Sequence, residues 1–114
     1  MDIDEFLEHL NQGEVVKGGS KVHLMMHAIS QEALKLTTEL NGSYHPPEEI
    51  REIFSRLTGK PVDETFGLFP PFSTDCGKNI HVGKNVFINS GCRFQDQGGI
   101  FIGDGVLIGH NVVV

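Results

Sequence analysis

Apolar positions along residues 80–114 recur with a step of six. Val82, Ile88 and Phe94 form one series, which resumes at Ile102, Ile108 and Val114. Val86 and Cys92, then Ile100, Val106 and Val112, form a second. Both are interrupted once, by two extra residues around Gln97-Gly98-Gly99. A short fixed period in strand-like sequence predicts a parallel β-helix, each unit being one short strand and one corner. The corners read Gly83-Lys84-Asn85, Asn89-Ser90-Gly91, Gly103-Asp104-Gly105 and Gly109-His110-Asn111. These are rich in the residues that enter left-handed backbone at least cost. Three units make a triangular coil, so residues 80–97 read as about one coil and 100–114 as most of another. An ordinary antiparallel domain would alternate too, but without a constant step and matched corners.

The pattern before residue 72 is helical. Ile3, Phe6, Leu7 and Leu10 share one face of a helix over residues 2–11, closed by Gly13. Ser20 is placed to cap a longer helix running to about Asn41, with a stripe of Val22, Met25, Met26, Ile29, Ala33, Leu36 and Leu40. Gly42 ends it. Pro46-Pro47-Glu48-Glu49 opens a third helix, with Ile50, Ile53, Phe54 and Leu57 on its buried face and Gly59 after it. A proline-rich link, Leu68-Phe69-Pro70-Pro71-Phe72, leads into the repeat. The expected organisation is a mainly β chain with an α-helical cap over residues 1–72 and the start of the β-helix over 73–114. Phe66, Phe69 and Phe72 are expected to cover the open end of the first coil.

Composition narrows the chemistry. The net charge is −6 with no basic block, which argues against nucleic acid or an anionic membrane as partner. The acidic start, Met1 to Glu5, lacks signal-peptide shape, and no apolar run approaches a membrane span. Cys92 falls at an inward position and reads as a small buried hydrophobe, so a reducing cytoplasm is the expected location. His23 and His27 stand four apart on a helix, which is metal-ligand spacing, but no third ligand is evident. They read as a solvated face, and no metal is expected. Met25 and Met26 read as core filling.

With these elements in place, the sequence resembles the maltose and galactoside O-acetyltransferases. The likeness rests on helices leading into Pro70-Pro71-Phe72, then Cys76 to Asn89 with the run Gly77-Lys78-Asn79-Ile80-His81-Val82-Gly83, and on Ile100 to Gly109. The resemblance implies a left-handed, hexapeptide-repeat β-helix, homotrimeric assembly with active sites between subunits, and acetyl transfer from acetyl-CoA to a sugar hydroxyl. It also implies a histidine general base for the sugar hydroxyl and backbone N–H donors for the oxyanion.

The resemblance places the acceptor sugar against Asp75, Phe87, Asn89, Asp96 and Gln97. Asn89 is also a good corner residue on its own account. The family often has an acid at the position of Gln97 and another near Val16-Lys17-Gly18; neither is acidic here, so an acceptor for sugar hydroxyls is lost. The base is expected beyond Val114, as are most coenzyme A contacts. The chain thus reads as cap, first coil and part of a second, without a catalytic histidine, inactive alone and binding no cofactor itself. His110 reads as a corner residue and His81 as outward-facing. Zinc-binding β-helix enzymes need stacked histidines, and His81 and His110 are not spaced to stack. The alternative to a sugar O-acetyltransferase is a non-catalytic assembly or sugar-binding part of a trimeric β-helix protein. Unstacked Ile102, Ile108 and Val114 predict association through that end.

Overall fold

The computed structural model describes all of residues 1–114. Its three helices begin and end where local chemistry dictates. Helix α1 spans Ile3–Asn11, and the Asp2 carboxylate accepts from Glu5 N at 2.8 Å. Helix α2 spans Lys21–Gly42, capped by Ser20 Oγ, which accepts from His23 N at 3.2 Å. Helix α3 spans Pro47–Thr58 and stops at Gly59, whose φ of 70° lets its N–H reach back to the Ser55 carbonyl. No helix is long and apolar enough to cross a membrane.

Seven short strands follow: β1 (Gly67–Leu68), β2 (Phe72–Thr74), β3 (Ile80–Val82), β4 (Phe87–Ile88), β5 (Cys92–Phe94), β6 (Ile100–Ile102) and β7 (Leu107–Ile108). They form three parallel sheets, β1-β4-β7, β2-β5 and β3-β6. Gly67 pairs with Phe87, Phe72 with Cys92, Ile80 with Ile100 and Phe87 with Leu107. Each face therefore meets itself one turn later, which is a parallel β-helix.

The coil differs from the expectation in two ways. It starts at β1, so the ladder reaches back into the segment read as a link, and β2 straddles the expected boundary at residue 72. The two-residue excursion is also not single. Inward residues step by six from Leu68 to Thr74, by eight to Val82, then by six, six and eight through Ile88, Phe94 and Ile102. The eight-residue corner between the second and third faces recurs in both coils. A count begun at Val82 catches only its second occurrence.

Phe66 and Phe72 are buried side chains of the first coil, whereas Phe69 points outward, 59% exposed, with its ring edge-on to Phe87 at 4.8 Å. The expected three-phenylalanine cover is thus not what closes the coil. Phe54 of α3 does so, its ring 4.5 Å from Phe66 and 5.8 Å from Phe72, which in turn meets Phe94 at 5.0 Å. Leu40, Ile53 and Leu57 complete this core, and burying each such side chain contributes about 1.5–3 kcal/mol. Phe6 and Leu10 of α1 form a second cluster with Val22, Ile29 and Cys76. Lys78 ties the cap to the coil: its Nζ donates to the Arg56 and Leu57 carbonyls at the end of α3 and pairs with Glu32 at 3.2 Å.

At four of the six-residue corners the third residue takes the left-handed conformation: Asn85 and Asn111 at φ 56°, Gly91 at 86° and Gly105 at 75°; the corner between β1 and β2, Phe69-Pro70-Pro71, does not. Corners stack as closely as the strands do. A Cβ on Gly91 would lie 2.0 Å from Asn111 Oδ1, and Lys84 N donates to Asp104 Oδ1 at 2.7 Å. Burial fades along the coil: Val86, Ile88, Cys92 and Phe94 are buried, while Val106 and Val114 are 36% and 47% exposed.

Candidate functional site

The eight-residue corners are where polar chemistry collects. Asp96 sits in the second of them, 0% exposed, and its carboxylate is fully engaged. Oδ1 accepts from Thr74 Oγ1 at 2.6 Å and Cys76 N at 2.9 Å; Oδ2 accepts from Asn79 N at 3.1 Å. An ionised carboxylate is the natural acceptor for several convergent N–H groups. Asp96 was expected to line the sugar site; its side chain lies inside the wall, holding the first eight-residue corner, Thr74 to Asn79. Asn79 continues the network, donating to Asn11 Oδ1 at 2.7 Å and to the Gln97 carbonyl at 3.2 Å. Cys76, within that first corner, has its thiol pushed up to about 11 by burial and by the Asp96 charge, so it is not a nucleophile.

Outside that wall runs a shallow polar groove of about 220 Å³ between α2 and the second face. Asp75 and Gln97, both half-buried, line it, together with Ser30, Ser73 and Arg93. Gln97 Oε1 is shielded from solvent and accepts no hydrogen bond. The sequence reading missed Arg93. Its signal was present: Arg93 stands between inward Cys92 and Phe94, so strand alternation turns it outward. The groove offers a carboxylate, a guanidinium, an amide and hydroxyls, the usual means of holding a polyhydroxy compound.

Phe87 and Asn89 do not join this groove. They belong to β4 and the corner after it, on the first face. Phe87 packs against Phe69, and Asn89 Oδ1 accepts from Ser90 N at 2.8 Å, which supports the corner reading of that residue. The five expected residues therefore separate into Phe87 and Asn89 on one face, Asp75 and Gln97 on the next, and Asp96 inside. A larger apolar cavity of about 430 Å³, between the start of α3 and β1, is lined by Tyr44, His45, Ile50, Arg51 and Phe69 and contains none of the five.

No histidine lines the polar groove. His81 lies on the third face, stacked flat on Phe101 at 4.2 Å, with Nε2 3.1 Å from Asn79 Oδ1; burial holds its pKa below the ordinary histidine range. His110 is exposed at its corner. His23 and His27 lie on the exposed side of α2, where His23 Nδ1 accepts from Gly19 N at 2.9 Å.

No family model matches the chain. Curated relatives do. The chain is 33% identical over 86 residues to the galactoside O-acetyltransferase of Lactococcus lactis, covering 74% of this chain and 41% of that protein. It is 30% identical over 104 residues to the galactoside O-acetyltransferase of Escherichia coli, covering 89% of this chain and 51% of that one. Among solved structures, a hexapeptide-repeat acetyltransferase of Vibrio cholerae, complexed with acetyl coenzyme A, superposes with a TM-score of 0.73 at 30% identity, over 95% of this chain and 56% of that chain. The chain is a relative of the galactoside O-acetyltransferases over part of their length. It spans about half the length of the curated relatives named here. The superposition on the Vibrio cholerae protein runs over nearly the whole chain, helices and coil alike.

Proposed function

We propose that residues 1–114 form the acceptor-binding part of an acetyltransferase that moves the acetyl group of acetyl-CoA onto a sugar hydroxyl. The observation that carries this reading is the polar groove beside the eight-residue corners, where Asp75 and Gln97 converge in a relative of the galactoside O-acetyltransferases. Asp75 accepts from sugar hydroxyls, and the unpartnered Gln97 amide supplies a further polar contact. Asp96 contributes indirectly, by fixing the corner that carries Asp75.

The separation of Phe87 and Asn89 from the groove supports assembly. A pocket using both halves is closed only when one subunit's first face meets a neighbour's second face, as in the left-handed homotrimer that the resemblance implies. Phe87 then gives the sugar ring an apolar face and Asn89 a hydrogen-bonding amide. The chemistry needs a base within reach of the attacking hydroxyl. No histidine lines the groove, so on this reading the groove binds the acceptor and the base is supplied from elsewhere in the assembly.

The test is to titrate the purified chain with a panel of hexoses and galactosides, then add acetyl-CoA and follow release of free thiol. The expected result is saturable sugar binding without thiol release. Absence of binding to any sugar would leave the assembly role as the better account. Sugar-dependent thiol release would show that one of these six histidines is the base.

A further inference from the structure

The groove that holds Asp75 and Gln97 also holds a guanidinium with nothing to grip. Arg93 lies at the middle of β5, opposite Ser73 of β2, and faces outward into the groove. Arg56 pairs with Glu39 at 2.8 Å and Lys78 with Glu32 at 3.2 Å, while Lys17, Lys21, Lys35, Arg51 and Lys84 form no ion pair; what sets Arg93 apart from those is its place on the polar groove. Arg93 forms no ion pair, even in a chain with six excess negative charges, and Asp75, in the same groove, is not within ion-pair reach of it.

A second observation lies beside it: Gln97, on the same groove, is neutral, and its Oε1 is left without a hydrogen bond. The groove therefore pairs one free cation with one carboxylate, held apart, and an unpaired amide between strands β5 and β6. A neutral sugar would use the hydroxyl-accepting groups and leave the guanidinium idle. A sugar bearing an anionic group would use all of them, because the planar fork of Arg matches carboxylate and phosphate oxygens.

We infer that Arg93 sets acceptor specificity, selecting a sugar that carries a carboxylate or phosphate, with the anion on Arg93 and the hydroxyls on Asp75 and Gln97. This rests on the acceptor-site reading above. The Ser73 hydroxyl, opposite Arg93 on the neighbouring strand, provides a further donor to the anion. Attraction of this kind weakens as salt rises, because the groove is shallow and open to solvent.

The experiment compares galactose, galacturonate and galactose 6-phosphate by titration against the full chain, with inorganic phosphate as a competitor. At least one anionic sugar is expected to bind about tenfold or more tighter than galactose, which corresponds to about 1.4 kcal/mol. That preference shrinks with added salt, survives in part in Arg93→Lys and disappears in Arg93→Gln. The anionic sugar that keeps the preference identifies carboxylate or phosphate as the recognised group. Equal affinity for all three sugars overturns this inference and leaves the acceptor site standing. Inorganic phosphate that competes as well as the sugar phosphate also overturns it, as general anion binding. No binding of any sugar overturns the acceptor site and this inference together.

Discussion

Replacing Asp96 probes how the site is built. Its carboxylate accepts three hydrogen bonds inside the corner, two of them from backbone N–H groups with no route to water. Hydrogen bonds to a charged group contribute about 1.5–3 kcal/mol each, and a buried donor left unpaired costs about 1–3 kcal/mol. Asp96→Ala strips acceptors from Thr74, Cys76 and Asn79 and leaves a small void. Relief from burying a charge offsets part of that, giving an expected loss of about 4 kcal/mol. Asp96→Asn keeps one oxygen for Thr74 and Cys76 but turns an NH2 toward the Asn79 N–H, for a loss of about 2 kcal/mol. With a urea dependence of about 1.5–2 kcal/mol per molar, the midpoint falls by about 2 M for Ala and about 1 M for Asn. The assay is urea unfolding followed by far-UV circular dichroism at one fixed protein concentration. Both midpoints staying within about 0.3 M of the parent would refute the corner as a charge-tied element, and with it the claim that Asp96 acts from inside the wall.

Other consequences are open to simple measurement. Gly77 has a φ of 82°, and a Cβ there would meet the Leu57 carbonyl at 2.7 Å; Gly77→Ala is expected to cost about 2–4 kcal/mol in thermal unfolding. The raised Cys76 pKa and the burial of Cys92 predict that neither thiol reacts with a disulfide reagent at neutral pH until denaturant is added. The His45 pKa is raised, first by its bond to the Glu39 carbonyl and then by Glu49. A raised folded-state value means the stabilisation is complete below the ordinary value of 6.5 and is lost as pH climbs through the raised one. Unfolding midpoints above and below that window should therefore differ less in His45→Gln than in the parent chain.

The sequence pattern made the coil legible because its constraint is local. Four corners place one residue in left-handed backbone, and Asn85, Gly91, Gly105 and Asn111 stand where the six-step places them. Helix limits were legible for the same reason at Ser20 and Gly59. What escaped was non-local. The coil's plug is Phe54, whose role depends on how α3 packs over the first turn, and helical periodicity says only that it is buried. The first eight-residue corner, over Asp75 to Asn79, hid because the repeat was counted from Val82. Had it been matched to its successor, Asp96 would have stood out as a charge opposite a turn full of unpaired N–H groups. Strand alternation turned Arg93 outward, yet only the fold sets α2 beside it to make a groove.

The central claim is that the acceptor sugar lies along two faces of the coil, at Asp75 and Gln97 on one and Phe87 and Asn89 on the other. Backbone amide shifts of the isotopically labelled chain, mapped during titration with the tightest-binding sugar, test it directly. The account predicts perturbations at Asp75 and Gln97, joined by Phe87 and Asn89 under conditions where the chain self-associates. Shifts confined to the apolar cavity around Tyr44, His45 and Phe69 would contradict it.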